Sequence, residues 1–273
     1  MTDPFSTADR GERLQTVESV RRALRILKCF SLDSPEWGVT ELARMLNMHK
    51  STIHRLVTTM EREGFLYQVE NGRYALSFAI FEIAAGVVAW QGIHDTLLKH
   101  LRELVEQTGE TAHLAVLDQE SALYVEKVEG TWALRMPSAV GRHVPLNCTS
   151  LGKVLLAGME SDECRRIVYE TAWVARTAHS ITDPDLVMKE IIAVRERGYA
   201  VDHQEIEEGL MCIAAPVRDD RGVTCAGVSI AGPAPRLANY LEDRVQCVKD
   251  AAARLSAALG PQARRLREAG RMA

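Results

Sequence analysis

Lys50, Ser51, Thr52, His54, Arg55 and Thr58 place two cations, an imidazole and three hydroxyls within nine positions of one another. At helical spacing, with Ile53, Leu56, Val57 and Met60 on the opposite side, they share the outward face of one amphipathic helix. Short hydroxyls and cations at a helix start suit phosphates and the base edges of a DNA major groove. Such a face is more often simply solvated, so the neighbouring elements must decide. A second group lies further on. Ser150-Leu151-Gly152 opens a short helix whose free N–H groups favour an anion. Asp202 follows Gly198 in a strand, where it either accepts a ligand hydroxyl or amide or satisfies backbone donors. His113 either lines a pocket or packs in the core. Cys212, between Met211 and Ile213, reads as a small thiol lining a pocket, because nothing in the sequence sets beside it the His or helix terminus a nucleophile needs.

Other chemistry is poorly supported. No G-x-S-x-G, H-E-x-x-H or Walker-like run occurs, so no catalytic residues are assigned and an enzyme is not expected. Six cysteines without C-x-x-C or finger spacing give neither a disulfide framework nor a metal site. No cofactor is expected, and no attachment context for a chromophore is evident. The polar N-terminus is not a signal peptide, and Phe78 to Trp90 contains Glu82 and is short of the ~18–20 residues a span needs. No membrane partner is expected, and the chain reads as cytoplasmic.

The elements that must position these residues follow from pattern and charge. The 273 residues favour two domains. Residues 1–78 carry 11 basic and 10 acidic side chains (+1), 79–261 carry 18 and 26 (−8), and 262–273 carry four Arg and one Glu (+3). Val17, Val20, Leu24 and Leu27 mark a first helix, with Thr16 as its cap. A second begins at a Thr40 cap and buries Leu42, Ala43 and Leu46. Asn47 tolerates the sharp reversal before the third, Lys50 to Glu63, which Gly64 ends. Phe65 to Val69 and Arg73 to Leu76 flank an Asn-Gly turn and read as a hairpin, with Arg73 a further DNA contact on the wing. Three helices and a hairpin describe a winged helix-turn-helix, with the third helix in the major groove. Beyond it come an apolar helix from Phe78 to Trp90, expected to bury against its own copy in a homodimer, and a helix to Thr108. Strands at 111–117, 122–128, 132–136, 210–217 and 224–230 follow, with helices at 150–158, 162–169, 184–198 and 238–259. That mixture makes an α/β (α+β) sensor-type domain.

The chain resembles the IclR family of bacterial transcriptional regulators over about residues 14–260. The resemblance is carried by Leu42-Ala43-Arg44 with Lys50 to Leu56, by Gly109-Glu110-Thr111, by Val140-Gly141-Arg142 with Leu151-Gly152-Lys153, and by Gly198-Tyr199-Ala200-Val201-Asp202 … Glu205 … Cys212 to Val217. Ser229-Ile230-Ala231-Gly232-Pro233 is similar too. Arg218 stands where an aromatic or His is typical, Asn47 replaces a turn Gly, and His49 replaces a common Pro. The resemblance implies a winged helix-turn-helix (14–77), a linker helix (78–92) and a GAF-like effector-binding domain (93–260); the basic tail beyond it (261–273) reads as disordered. It places ligand contacts on Ala133, Met136, Ser150, Leu151, Asp202, Cys212, Ser229 and Ala231. It implies operator DNA and a small organic acid or aromatic effector as partners, dimers or dimer pairs, and residence on the nucleoid when bound to DNA.

Overall fold

The computed structural model describes residues 16–89, 94–132 and 138–264. The chain forms two compact units, residues 1–90 and 91–273. In the first, α1 (Glu18–Leu27), β1 (Glu36–Trp37), α2 (Val39–Met45), α3 (Lys50–Arg62), β2 (Leu66–Gln68), β3 (Tyr74–Leu76) and α4 (Phe78–Ala89) follow one another. Ile26, Leu42, Leu46, Ile53, Val57 and Leu66 pack together as its core, each worth about 1.5–3 kcal/mol of transfer from water. Asn47 takes φ +50°, and Met48 N–H reaches back to the Ala43 carbonyl at 2.9 Å, so the reversal between α2 and α3 rests on a residue that tolerates the left-handed region.

Two expected caps are replaced. Val17, not Thr16, occupies the cap of α1 and makes no side-chain bond; Glu18 in the first turn instead takes Arg22 Nε at 2.7 Å. Helix α2 starts one residue before Thr40, at Val39, because the Glu41 carboxylate turns back to accept the Gly38 N–H at 2.8 Å, the carboxylate half of a capping box. The strand β1, too short to show periodicity, pairs antiparallel with β3 and makes the hairpin part of a three-stranded sheet ordered β1-β3-β2. On α4, Phe78, Phe81 and Ile83 are exposed.

The second unit runs α5 (His94–Thr108), β4 (Thr111–Asp118), β5 (Ser121–Val128), β6 (His143–Val144), α6 (Ser150–Ala157), α7 (Ser161–Glu170), α8 (Pro184–Arg197), β7 (Ala200–His203), β8 (Leu210–Arg218), β9 (Thr224–Pro233), α9 (Ala234–Ala238) and α10 (Leu241–Leu259). Among the described residues its six strands form one antiparallel sheet ordered β6-β5-β4-β9-β8-β7. Alternate side chains of each strand point to opposite faces. Leu114, Val228 and Ile230 join Leu101, Leu104, Val248 and Leu255 of α5 and α10 on one face. Ala115, Tyr124 and Ala214 meet Leu151, Leu155, Ile167 and Ile191 of α6, α7 and α8 on the other. From residue 133 on, the strand expected at 132–136 lies outside the described residues.

Several motif residues turn out to hold this unit together. Glu110 is buried, and Arg236 of α9 pairs with it through two nitrogens while lying over the Trp132 ring at 4.5 Å. Gly152 sits where any Cβ would come within 2.3 Å of the Leu146 Cα, so glycine is what lets α6 lie this close to the preceding chain. The start of the expected tail is packed rather than free. Ala263 is fully buried and Arg264 pairs with Asp220, because a 3₁₀ turn after α10 folds 261–264 back onto the unit.

Candidate functional site

In the first unit, α3 presents Lys50, Ser51, His54 and Arg55 to solvent, with Thr52 and Thr58 half-buried beside them. Ile53, Val57 and Met60 are buried on the opposite side. The cap residue His49 gives no side-chain bond to the helix, and its carbonyl accepts from Thr52 and Ile53 N–H at 3.0 and 3.1 Å. The first turn of α3 therefore keeps donors facing outward, next to two cations. Arg73 is not part of this face. Its guanidinium donates to Glu41 Oε1 at 2.9 Å and to the Glu36 carbonyl at 2.7 Å.

In the second unit a cavity of about 250 Å³ opens on the α6 side of the sheet. Of the positions implied by resemblance, Ser150, Leu151, Cys212, Ser229 and Ala231 line it. Ala133 and Met136 lie outside the described residues. Asp202 does not line the cavity: it is fully buried, directly opposite Cys212 in the β7–β8 ladder. Its Oδ1 accepts the Glu205 N–H at 2.6 Å, and its Oδ2 is buried without a hydrogen-bond partner among the described residues. Burial, with neighbouring Glu205 adding to it, pushes the Asp202 carboxyl up to about 7.

The helix start is built for the cavity. Thr149 caps α6 by accepting from Gly152 N–H at 3.1 Å, and Thr149, Ser150 and Leu151 at that helix start all line the cavity. Arg142 and Arg176 also line the cavity, and Arg176 reaches it from an irregular loop that carries no periodic signal. His113 lines it too, with Nε2 2.7 Å from Ser138 Oγ and its ring stacked on Tyr124 at 4.7 Å. Burial first, then nearby Lys127, holds the His113 imidazole down to about 3, so it is neutral at ordinary pH. Burial pushes the Cys212 thiol well up, helped by the adjacent Asp202 charge; that is the opposite of an activated nucleophile. Ile206 and Leu210 add an apolar wall.

Buried Lys153 locks the two sides of the cavity. It projects from α6 to pair with Glu205 and to donate to the Val201 carbonyl at 3.0 Å. Thr177 and Ser180 hydroxyls bind the Gln204 and Glu205 carbonyls at 2.7 and 2.6 Å, fastening the Arg176 loop to the same segment. Among the described residues no His, Cys, Asp and Glu cluster could hold a metal, and no helix is long and apolar enough to cross a membrane.

Comparison with known proteins gives this arrangement its context. Residues 19–70 match the IclR helix-turn-helix domain and residues 85–257 the bacterial transcriptional regulator IclR C-terminal family. The HTH-type transcriptional regulator KdgR of Escherichia coli is 36% identical over 258 residues, covering 94% of this chain and 98% of its own. The crystal structure of the Thermotoga maritima IclR superposes with a TM-score of 0.68 at 31% identity, covering 88% of this chain and 98% of that one. An IclR homologue from Microbacterium hydrocarbonoxydans, solved with 4-hydroxybenzoate, shares the fold at a TM-score of 0.78 and 24% identity, covering 88% of this chain and 98% of that one.

Proposed function

Because the chain belongs to the IclR family and is a DNA-binding transcriptional regulator with a C-terminal effector-binding domain, not an enzyme, we propose a specific division of labour among its residues. Lys50, Ser51, Thr52, His54, Arg55 and Thr58 of α3 meet the operator, with Arg55 reading a base edge. The exposed polar face opposite a buried Ile53/Val57/Met60 stripe carries this reading. Arg73 is left out, since its guanidinium is turned to Glu36 and Glu41, where two of its N–H groups are already bonded.

The cavity takes a small anion, an organic or aromatic acid. Arg142, Arg176 and the Ser150–Leu151 N–H groups receive its negative end, while Leu151, Cys212, Ser229 and Ala231 shape the rest. Asp202 acts from behind Cys212 rather than by touch. A hydroxylated aromatic carboxylate such as the one bound by the Microbacterium homologue has the right charge. Two copies pair through the apolar α4, where Phe78, Phe81 and Ile83 are exposed, and read a pseudo-palindromic site. The functional segments are then 14–77, 78–92 and 93–260, working in the bacterial cytoplasm. The ligand acts through unequal affinity for two states of the regulator.

The test uses the duplex that wild-type protein enriches from a random-sequence pool. Arg55→Ala should weaken its binding by ~1–3 kcal/mol and relax specificity at one position. Unchanged affinity and unchanged salt dependence would remove α3 from the interface. Sedimentation at micromolar concentration should give a dimer, and a clean monomer would overturn the pairing.

A further inference from the structure

Arg73 is the cation a winged helix would be expected to offer to a phosphate, yet its guanidinium is turned to Glu36 and Glu41. Nη1 meets Glu41 Oε1 at 2.9 Å, Nη2 meets the Glu36 carbonyl at 2.7 Å, and Nε faces Glu36 Oε2 at 3.8 Å. The second oxygen of Glu41 is the acceptor that caps α2 at Gly38. At the wing turn, Asn71 accepts the Arg73 N–H at 2.9 Å and points its amide at Glu36 Oε2, 3.4 Å away. Strand β1 is itself anchored, because Trp37 Nε1 donates to the Cys29 carbonyl at 2.8 Å. One guanidinium thus joins the wing turn just before β3, the strand β1 and the N-terminus of α2, against which α3 packs.

Charge argues the same way. The cleft holding Arg73 is lined by Asp33, Glu36 and Glu41, so a phosphate approaching it meets three carboxylates around a cation already paired. The Arg73 and Glu41 side chains are 35% and 42% exposed, and pairs this exposed contribute little to stability. Their consequence is geometric.

We propose that Arg73 and Glu41 are a positioning pair for DNA recognition, fixing the wing against α2 and α3 without either side chain touching DNA. This rests on the reading of α3 as the DNA-contacting helix.

The experiment uses the full chain and the duplex that wild-type protein enriches from a random pool, with affinity measured across a salt series. Arg73→Ala and Glu41→Ala should each weaken binding about fivefold, the size of one modest coupling. The double variant should be no weaker than either single one, and the salt slope should stay at the wild-type value. Arg73→Lys keeps the charge but not the two-pronged geometry, so it should behave like Arg73→Ala. Removing the negative Glu41 ought to tighten binding if only charge mattered; the positioning pair requires the reverse. A slope reduced by about 0.9 per lost contact in Arg73→Ala, wild-type affinity in Arg73→Lys, or undiminished binding in Glu41→Ala each overturns the proposal. If Glu41→Ala unfolds the unit, Glu41→Gln, which keeps an acceptor for Gly38, should still bind about threefold more weakly, and equal or tighter binding refutes the pair. Arg55→Ala run alongside separates the two readings. If it changes nothing while the wing variants weaken binding, the α3 assignment fails and takes the role given to the pair with it; if it weakens binding while the wing variants do not, α3 stands and the pair alone fails.

Discussion

Lys153→Met should be the most damaging single change in the second unit that touches no ligand. The Lys153 and Glu205 side chains are 2% and 5% exposed, so solvent screens the pair very little. Lys153 also donates to the Val201 carbonyl, while Glu205 Oε2 already lacks a partner among the described residues. Methionine matches the apolar stem of lysine but lacks the ammonium, leaving Glu205 buried and without its counter-charge. Breaking a buried pair from one side costs about 3–5 kcal/mol. In a unit of this size each kcal/mol lowers Tm by roughly 2–4 °C, so the loss should be about 6–20 °C. Lys153→Met/Glu205→Gln removes both charges and should recover most of it. Urea denaturation of wild type, both single variants and the double closes the cycle, and the expected coupling is at least about 2 kcal/mol. Additive single effects, or a Lys153→Met cost below about 1 kcal/mol, would show that the pair does not join α6 to the β7–β8 segment.

Other consequences are as direct. Gly152→Ala forces a Cβ to 2.3 Å from the Leu146 Cα and 2.5 Å from its carbonyl oxygen; about 1–3 kcal/mol or more of stability should go, and an unchanged melting curve would contradict the close approach. Cys212→Phe should fill the 250 Å³ cavity and abolish the response to ligand while operator affinity stays at the wild-type value; a retained response places the ligand elsewhere. The Asp202 carboxyl, raised to about 7, holds its proton in the folded state, so its contribution is present at low pH and lost as pH rises towards 7. The His113 imidazole, held down to about 3, works oppositely, its contribution being lost as pH falls below 6.5. Asp202→Asn leaves His113 unopposed, so stability should climb more steeply with pH than in wild type between about pH 4 and 6.5; equal slopes in denaturation series would refute the assignment.

Much of this molecule is legible residue by residue. The buried stripe of α3, the left-handed turn at Asn47, the glycine stop at Gly64 (φ +80°) and the strands Leu210–Arg218 and Thr224–Pro233 follow from local pattern, because helix and strand periods and turn chemistry act over a few residues. The lining positions Ser150, Cys212 and Ser229 were reachable by resemblance, since each sits in a motif. Arg176 was not, because it approaches from a loop held in place by Thr177 and Ser180.

Local pattern was enough to specify two folding units, the helix-turn-helix with its wing, and the outward polar face of α3. Each rests on hydrophobic periodicity and on turns that a dozen neighbouring residues suffice to specify. What the charged motif residues do depends on long-range packing. Glu110 finds Arg236, Lys153 finds Glu205 and Arg73 finds Glu41, partners separated by 126, 52 and 32 positions. A charge in a sequence looks the same whether it will face water, ligand or an opposite charge. Burial and distance choose among these, and both exist only once the chain has closed on itself.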